Sequence, residues 1–265
     1  MATDLFDLTG RVVVVTGGLG LLGRQFTAAV AARGARAVAL DVAAPAGGSP
    51  VPAGVRVVHA DVRSRAELER ALAAIRADLG VPHALINGAA IDSPPDAPAS
   101  ENGPFETYPL ESWNRVMDVN LTGLMLCCQV FGAAMAEAGR GSIVNVSSIY
   151  GVVSPDQRIY AYRAAAGAPF VKPVAYSATK SALLNLTRYL ATYWAPRGVR
   201  VNTLTLAGVA NNQDPRFLEG YCARIPVGRM ARPDEYNGAV VFLCSEASAY
   251  MTGANLVMDG GWTAW

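Results

Sequence analysis

Histidine and cysteine are scarce in this chain of 265 residues, which holds two of the first and four of the second. Cys127, Cys128, Cys222 and Cys244 form no CxxC pair, and His59 and His83 add no ligand spacing, so no metal site is expected. The neighbouring Cys127 and Cys128 lie in an apolar stretch and read as small buried hydrophobes of a reducing compartment. Charge is sparse too, at 16% of residues, and balanced at 22 basic against 21 acidic side chains with no long block of either sign. Duplex binding needs a concentrated basic face, so nucleic acid is not an expected partner. The opening MATDLFDLTG has two aspartates and no basic n-region, unlike a secretory signal. The most apolar long stretch, 119–138, is broken by Asn120, Gln129 and Glu137, so no membrane span is expected. The reading is a soluble cytoplasmic protein whose 52% hydrophobic content can bury a large core.

Apolar β-branched runs alternate with alanine-rich helical stretches along the chain. Residues 11–16 (RVVVVT) form a valine run, the pattern of a strand buried on both faces of a parallel sheet. A helix follows over 21–33 and stops at Gly34. Further strands are predicted at 37–41, 55–60, 84–87, 142–147, 199–204 and 255–258. Further helices are predicted at 65–79, 110–138 (interrupted), 174–196 and 233–245. Repeated strand–helix units with short links imply parallel strands joined by right-handed crossovers. The expected fold is α/β: one Rossmann-type domain over 1–265, with a doubly wound parallel sheet of about seven strands flanked by helices. Residues 91–112 hold five prolines and five acids without a base, whereas 152–175 carry Arg158, Arg163 and Lys172 against Asp156 alone. Both segments follow strand carboxyl ends, where open α/β sheets bind ligands, and both read as substrate loops.

Between the first strand and the first helix stands Thr16-Gly17-Gly18-Leu19-Gly20-Leu21-Leu22-Gly23. A glycine triplet alone says little, but at this junction it lets backbone approach a pyrophosphate at the positive helix amino terminus. The second strand ends at Asp41, where a carboxylate can bind both ribose hydroxyls of NAD and would repel the extra phosphate of NADP. No lysine or arginine occurs in 17–22 or just after Asp41, so NAD is expected over NADP. Asp61 and Asn87, after the third and fourth strands, are placed either to line an adenosine site or to make Asx turns.

At Tyr176-Ser177-Ala178-Thr179-Lys180 a tyrosine and a lysine share one helical face. TGGLGLLG, the strand-end aspartate, NGAA at 87–90, VN at 119–120, VNVSSIYG at 144–151, YSATK at 176–180 and the closing MDGGW follow one another in a family's order. The chain resembles the compact, single-domain branch of the short-chain dehydrogenase/reductase family over nearly its whole length. It departs from that pattern in four places. The TGxxGxxG spacing, with Leu21 where the branch has glycine, is that of the extended branch of epimerases and dehydratases. Gly88 replaces the second asparagine of NNAG, Leu206-Ala207-Gly208 replaces a Pro-Gly pair, and the interval from Ser148 to Tyr176, 176 − 148 = 28 residues, is longer than usual.

The resemblance implies a catalytic set of Asn120, Ser148, Tyr176 and Lys180. A free tyrosine, with a pKa of about 10, is a poor base at neutral pH, and a nearby ammonium and the positive nicotinamide would favour its phenolate. Tyr176 would exchange the proton of the substrate oxygen, and Lys180 would stabilise the phenolate and hold the nicotinamide ribose. Ser148 would hydrogen-bond the substrate oxygen, while Asn120 would anchor a water linking the lysine to solvent. Cofactor contacts are then expected from Gly17, Gly20, Leu21, Leu22 and Gly23, from Asp41, Asp61 and Val62, and from Asn87, Gly88 and Ala89. Tyr176, Lys180, Gly208 and Val209 complete them, Val209 through its backbone at the carboxamide. The resemblance also implies a homotetramer, or a homodimer, with the helix from Tyr176 to Trp194 at one interface.

A third loop, 209–225, contains Asn211-Asn212-Gln213-Asp214. Walls of such donors and acceptors suit a sugar, sugar acid or cyclitol better than a steroid or acyl chain. Ser148, Arg158, Asn211 and Asn212 are the expected substrate contacts. Arg158, Arg163 and Lys172 suit a phosphate or carboxylate, and the acidic 91–112 loop opposes it. The leading reading is an NAD-dependent oxidoreductase interconverting a secondary alcohol and a ketone. The alternatives are an epimerase or dehydratase that retains its NAD, and a non-catalytic NAD-sensing module. Trp262 and Trp265, close together at the chain end, suggest burial in a subunit interface or packing within the chain.

Overall fold

The computed structural model describes residues 4–44, 51–92, 102–165 and 167–265. Its strands are β1 (Val12–Thr16), β2 (Arg36–Asp41), β3 (Arg56–His59), β4 (Ala84–Asn87), β5 (Gly141–Ser148), β6 (Val199–Leu206) and β7 (Asn255–Met258). They form one parallel sheet in the order β3-β2-β1-β4-β5-β6-β7. This is the expected Rossmann-type sheet. The winding reverses between β1 and β4, and the strand carboxyl ends open there into a crevice. Alternation inside β1 shows why it is apolar throughout: Val12 and Val14 enter one core, Val13 and Val15 the other. On the first face lie helices Arg65–Leu79, Leu110–Glu137 and Val174–Trp194; on the second lie Leu21–Ala32 and Asn237–Cys244.

Boundaries move where tertiary pairing outweighs local pattern. Strands β5 and β6 outrun their expected ends because they pair with each other from Gly141↔Val199 to Ser148↔Leu206. The final helix starts at Asn237 rather than at Pro233, since Glu235 is engaged by Arg229 and by the Arg232 N–H in the preceding turn. The long helix is interrupted as expected, by π turns at Asp118–Gly123 and Cys128–Gly132. It is the one helix among the described residues long and apolar enough to cross a membrane, and most of its apolar window is buried in the protein. Cys127, Cys128 and Cys244 are buried free thiols, and burial pushes Cys128 and Cys244 up to about 12.

A buried polar chain ties the layers beneath the crevice. Asn87 Nδ2 donates to Asn145 Oδ1 (2.9 Å), Asn145 Nδ2 to Thr187 Oγ1 (2.9 Å), and Thr203 Oγ1 to Thr187 Oγ1 (2.8 Å). These bonds fasten β4, β5 and β6 to the Val174–Trp194 helix, fixing the helix against the sheet. Asn145→Ala takes one buried partner from Asn87 and one from Thr187, so urea unfolding should show a loss of about 1–3 kcal/mol.

The 152–175 segment is packed as a wall. Asp156 accepts from the Arg158 N–H, starting a short helix at Gln157–Tyr160, and pairs with Arg224. Tyr160 lies 5.0 Å from Phe170 and 5.7 Å from Phe217, building a third apolar cluster beyond the sheet end. Trp262 is buried in that cluster, 4.5 Å from Tyr221, so its burial is within its own chain and not in a subunit interface. Trp265 is exposed.

Candidate active site

A cavity of about 1360 Å³ runs along the strand carboxyl ends. At one end lies the β1–helix turn. Gly17 has φ +66° and passes so close to the next loop that a Cβ would come within 2.9 Å of Ala89 Cα. A Cβ on Gly23 would fall 2.0 Å from the Gly17 carbonyl oxygen, so this turn closes only with glycine there. Gly20 is the N-cap residue of Leu21–Ala32, and no side chain caps that helix. The result is a bare, positive helix terminus facing the cavity beside Leu21 and Leu22, which fits a pyrophosphate.

Asp41 stands at the end of β2, its carboxylate held by the Leu19 and Ala43 N–H groups at 2.9 Å each. Asp61 and Val62 line the next stretch. The Arg63 guanidinium, hydrogen-bonded to Asp61, holds its carboxyl below the usual carboxylate range. Gly88 and Ala89 also line the cavity, and both donate their N–H to Thr16 Oγ1. Asn87 does not reach the cavity: its amide is buried in the polar chain described above, because β4 directs it into the layer below.

At the far end Ser148, Tyr176 and Lys180 come together. Ser148 and Tyr176 line the cavity side by side, and Lys180 Nζ lies 5.7 Å from the centre of the Tyr176 ring. Lys180 is buried and donates to the Val146 carbonyl at 2.8 Å. Burial raises the Tyr176 phenol well above its ordinary value, Asp92 adds to that, and Ser148 opposes it. Burial also brings Lys180 down to about 8. Asn120 sits in the first π turn behind the cavity wall. Its side chain accepts from the Ile91 N–H (2.8 Å) and donates to the Ile91 carbonyl (2.9 Å) and to Thr179 Oγ1 (3.4 Å). The amide thus clamps the segment after β4 to two helices.

Gly208 and Val209 line the same end, as do Asn211 and Asn212. The Gly208 N–H donates to the Tyr221 hydroxyl at 2.7 Å, and the Val209 carbonyl accepts from Gln213 Nε2 at 2.7 Å. A carboxamide would therefore compete with Gln213 for that carbonyl. Arg158 is a correction to the expected substrate contacts. It is 82% exposed and outside the cavity, folded back onto Asp156 of its own turn. Arg163 and Lys172 of the same segment do line it. Residues 93–101 of the expected 91–112 loop lie outside the described residues. The sequence reading missed the aromatic wall of Tyr150, Tyr160, Phe217 and Tyr221, and the pair of Asp92 with Lys172. The one signal available was Lys172 standing four residues before Tyr176 in a basic segment.

Residues 11–215 match the family model of the short chain dehydrogenases. The chain is 35% identical over 270 residues to a D-threitol dehydrogenase of Mycolicibacterium smegmatis, covering 97% of this chain and 95% of that one. It is also 35% identical over 274 residues to a galactitol 2-dehydrogenase (L-tagatose-forming) of Cereibacter sphaeroides, covering 98% of each. A short chain dehydrogenase from Leptospira borgpetersenii, solved with bound NAD+, superposes with a TM-score of 0.86 at 32% identity, over 99% of this chain and 97% of the other. The chain belongs to the short-chain dehydrogenase family.

Proposed function

We propose that this protein is an NAD-dependent oxidoreductase that interconverts a secondary alcohol and a ketone on a small polyhydroxylated substrate. The carrying observation is one cavity with a glycine-lined helix terminus and Asp41 at one end, and Ser148, Tyr176 and Lys180 at the other. Gly17, Gly20, Gly23 and Asp41 would hold a nicotinamide dinucleotide, which when bound supplies the hydride acceptor or donor. Ser148 orients the substrate oxygen and stabilises the charge that develops on it. Tyr176 takes the proton from that oxygen in oxidation and returns it in reduction. Lys180, charged below about pH 8, favours the phenolate. The aromatic wall and the Asn211-Asn212 edge offer stacking faces and amide partners suited to a polyol, in line with the similarity to proteins named threitol and galactitol dehydrogenases.

The test is nicotinamide absorbance with NAD or NADP and a panel of polyols, sugars, sugar acids and cyclitols. Turnover with NAD on a polyol supports the reading, whereas turnover confined to NADP or to apolar alcohols overturns it. The cofactor preference rests on one carboxylate. Asp41→Ala should cut kcat/KM for NAD by about 10–100-fold, the worth of hydrogen bonds to a charged group, and leave NADP unaffected or improved. Assembly as a homotetramer is proposed on the family resemblance and on the exposed, stacked Tyr189 and Tyr193 of the Val174–Trp194 helix. Light scattering on a size-exclusion column would read a monomer as its refutation.

A further inference from the structure

Lys172 is a lysine without an exposed head: 7% of its side chain is accessible, and it pairs with Asp92, which follows β4. Its ammonium lies 5.1 Å from the centre of the Tyr176 ring, nearer than that of Lys180 at 5.7 Å. The Gln157 amide brackets the Lys172 backbone, accepting from its N–H at 2.8 Å and donating to its carbonyl at 3.2 Å. Two residues earlier Phe170 is buried against Tyr160, and one residue later Pro173 is the N-cap of the helix that carries Tyr176. Segment 152–175, the added length between Ser148 and Tyr176, thus delivers a second buried cation to the tyrosine.

We propose that Lys172, held by Asp92, is a positioning residue that favours the phenolate of Tyr176, so that the two lysines act on it together. The inference rests on the reading of Tyr176 as the acid/base.

Among the described residues, the charged and titratable groups facing Tyr176 are few. Lys180 comes from its own helix, Lys172 from the inserted segment, Asp92 from the end of β4, Tyr150 from the turn after β5 and Tyr221 from the Pro215–Cys222 helix; Ser148 adds its hydroxyl. Asp92 opposes ionisation of the phenol, and Lys172 stands against that carboxylate. Removing either member of the couple therefore moves the tyrosine in opposite directions. Lys172→Met removes a positive charge beside the phenol and raises the Tyr176 pKa, while Asp92→Asn removes a negative one and lowers it. A charge at this range shifts a pKa by about one to three units. A salt bridge that merely anchors the segment predicts no such opposed pair.

The test is the substitution Tyr176→3-nitrotyrosine, a side chain that absorbs visible light as its phenolate, in the otherwise complete chain without cofactor or substrate. The pH midpoint of that absorbance is read in the parent, Lys172→Met, Lys172→Arg and Asp92→Asn backgrounds, each checked for native circular dichroism. Expected are a rise of about one unit or more for Lys172→Met, a fall for Asp92→Asn, and recovery toward the parent for Lys172→Arg. Coincident midpoints, or shifts of the same sign in both variants, overturn the proposal. Because this titration needs no turnover, its failure is separate from failure of the acid/base reading, which is decided by NAD-linked oxidation of D-threitol, galactitol and the rest of the panel in Tyr176→Phe.

Discussion

Tyr176→Phe lowers kcat/KM for alcohol oxidation by about 10²–10⁴-fold, the usual worth of a positioned acid/base, while NAD still binds. Only the phenol oxygen is lost. The ring that Lys172 and Lys180 face stays, as does the wall that encloses it, so a folding defect is not expected. Initial rates at the nicotinamide band, with NAD binding measured separately, check this outcome. A variant that keeps most of the parent rate removes Tyr176 from the chemistry. On the proposed mechanism the parent's oxidation rate, which draws on the deprotonated phenol, should climb with pH, and ketone reduction, which draws on the protonated phenol, should fall. Burial and Asp92 raise the phenol's pKa, placing this limb on the alkaline side. Deprotonation of Lys180 above about pH 8 then removes a stabilising charge and flattens the climb.

Gly23→Ala is expected to weaken NAD binding by about 10²-fold, the scale of a backbone displaced by about an ångström at a site. Its Cβ would lie 2.0 Å from the Gly17 carbonyl oxygen and 2.8 Å from the Gly18 Cα, both backbone atoms of the turn proposed to hold the pyrophosphate. The turn opens or the helix retreats, and either moves the helix terminus off its target. Gly20→Ala is the internal comparison, because its Cβ would meet the Gly17 carbonyl oxygen at 3.3 Å and nothing else within 4 Å. Titration of NADH fluorescence should rank the two variants in that order. Equal, near-parent affinities would show that the turn is not the phosphate site.

The elements were legible wherever composition answers to burial. The valine run of β1 has both faces in a core, and its bounds differ by one residue from those expected. Tyr176 and Lys180 could be placed on one face because helical periodicity is local, and Ser148 because it ends a strand. Where three other polar side chains point could not be read in this way. Asn87 and Asn120 have polar side chains at the right points of the chain, but whether a side chain faces a cavity or the layer beneath depends on packing with β5 and with Ile91. Arg158 had a partner two residues away in Asp156, and a local ion pair within a short turn outcompetes a distant ligand.

The sequence by itself determined the α/β order, the glycine turn, the strand-end Asp41 and the Tyr176–Lys180 spacing, since each depends on residues adjacent or one helical turn apart. Only the tertiary structure decided how the inserted segment packs. Its aromatic residues condense with Phe217, Tyr221 and Trp262 from the far end of the chain, and that packing carries Lys172 to Asp92. The two lie 80 positions apart in sequence, and no local pattern encodes a contact at that separation.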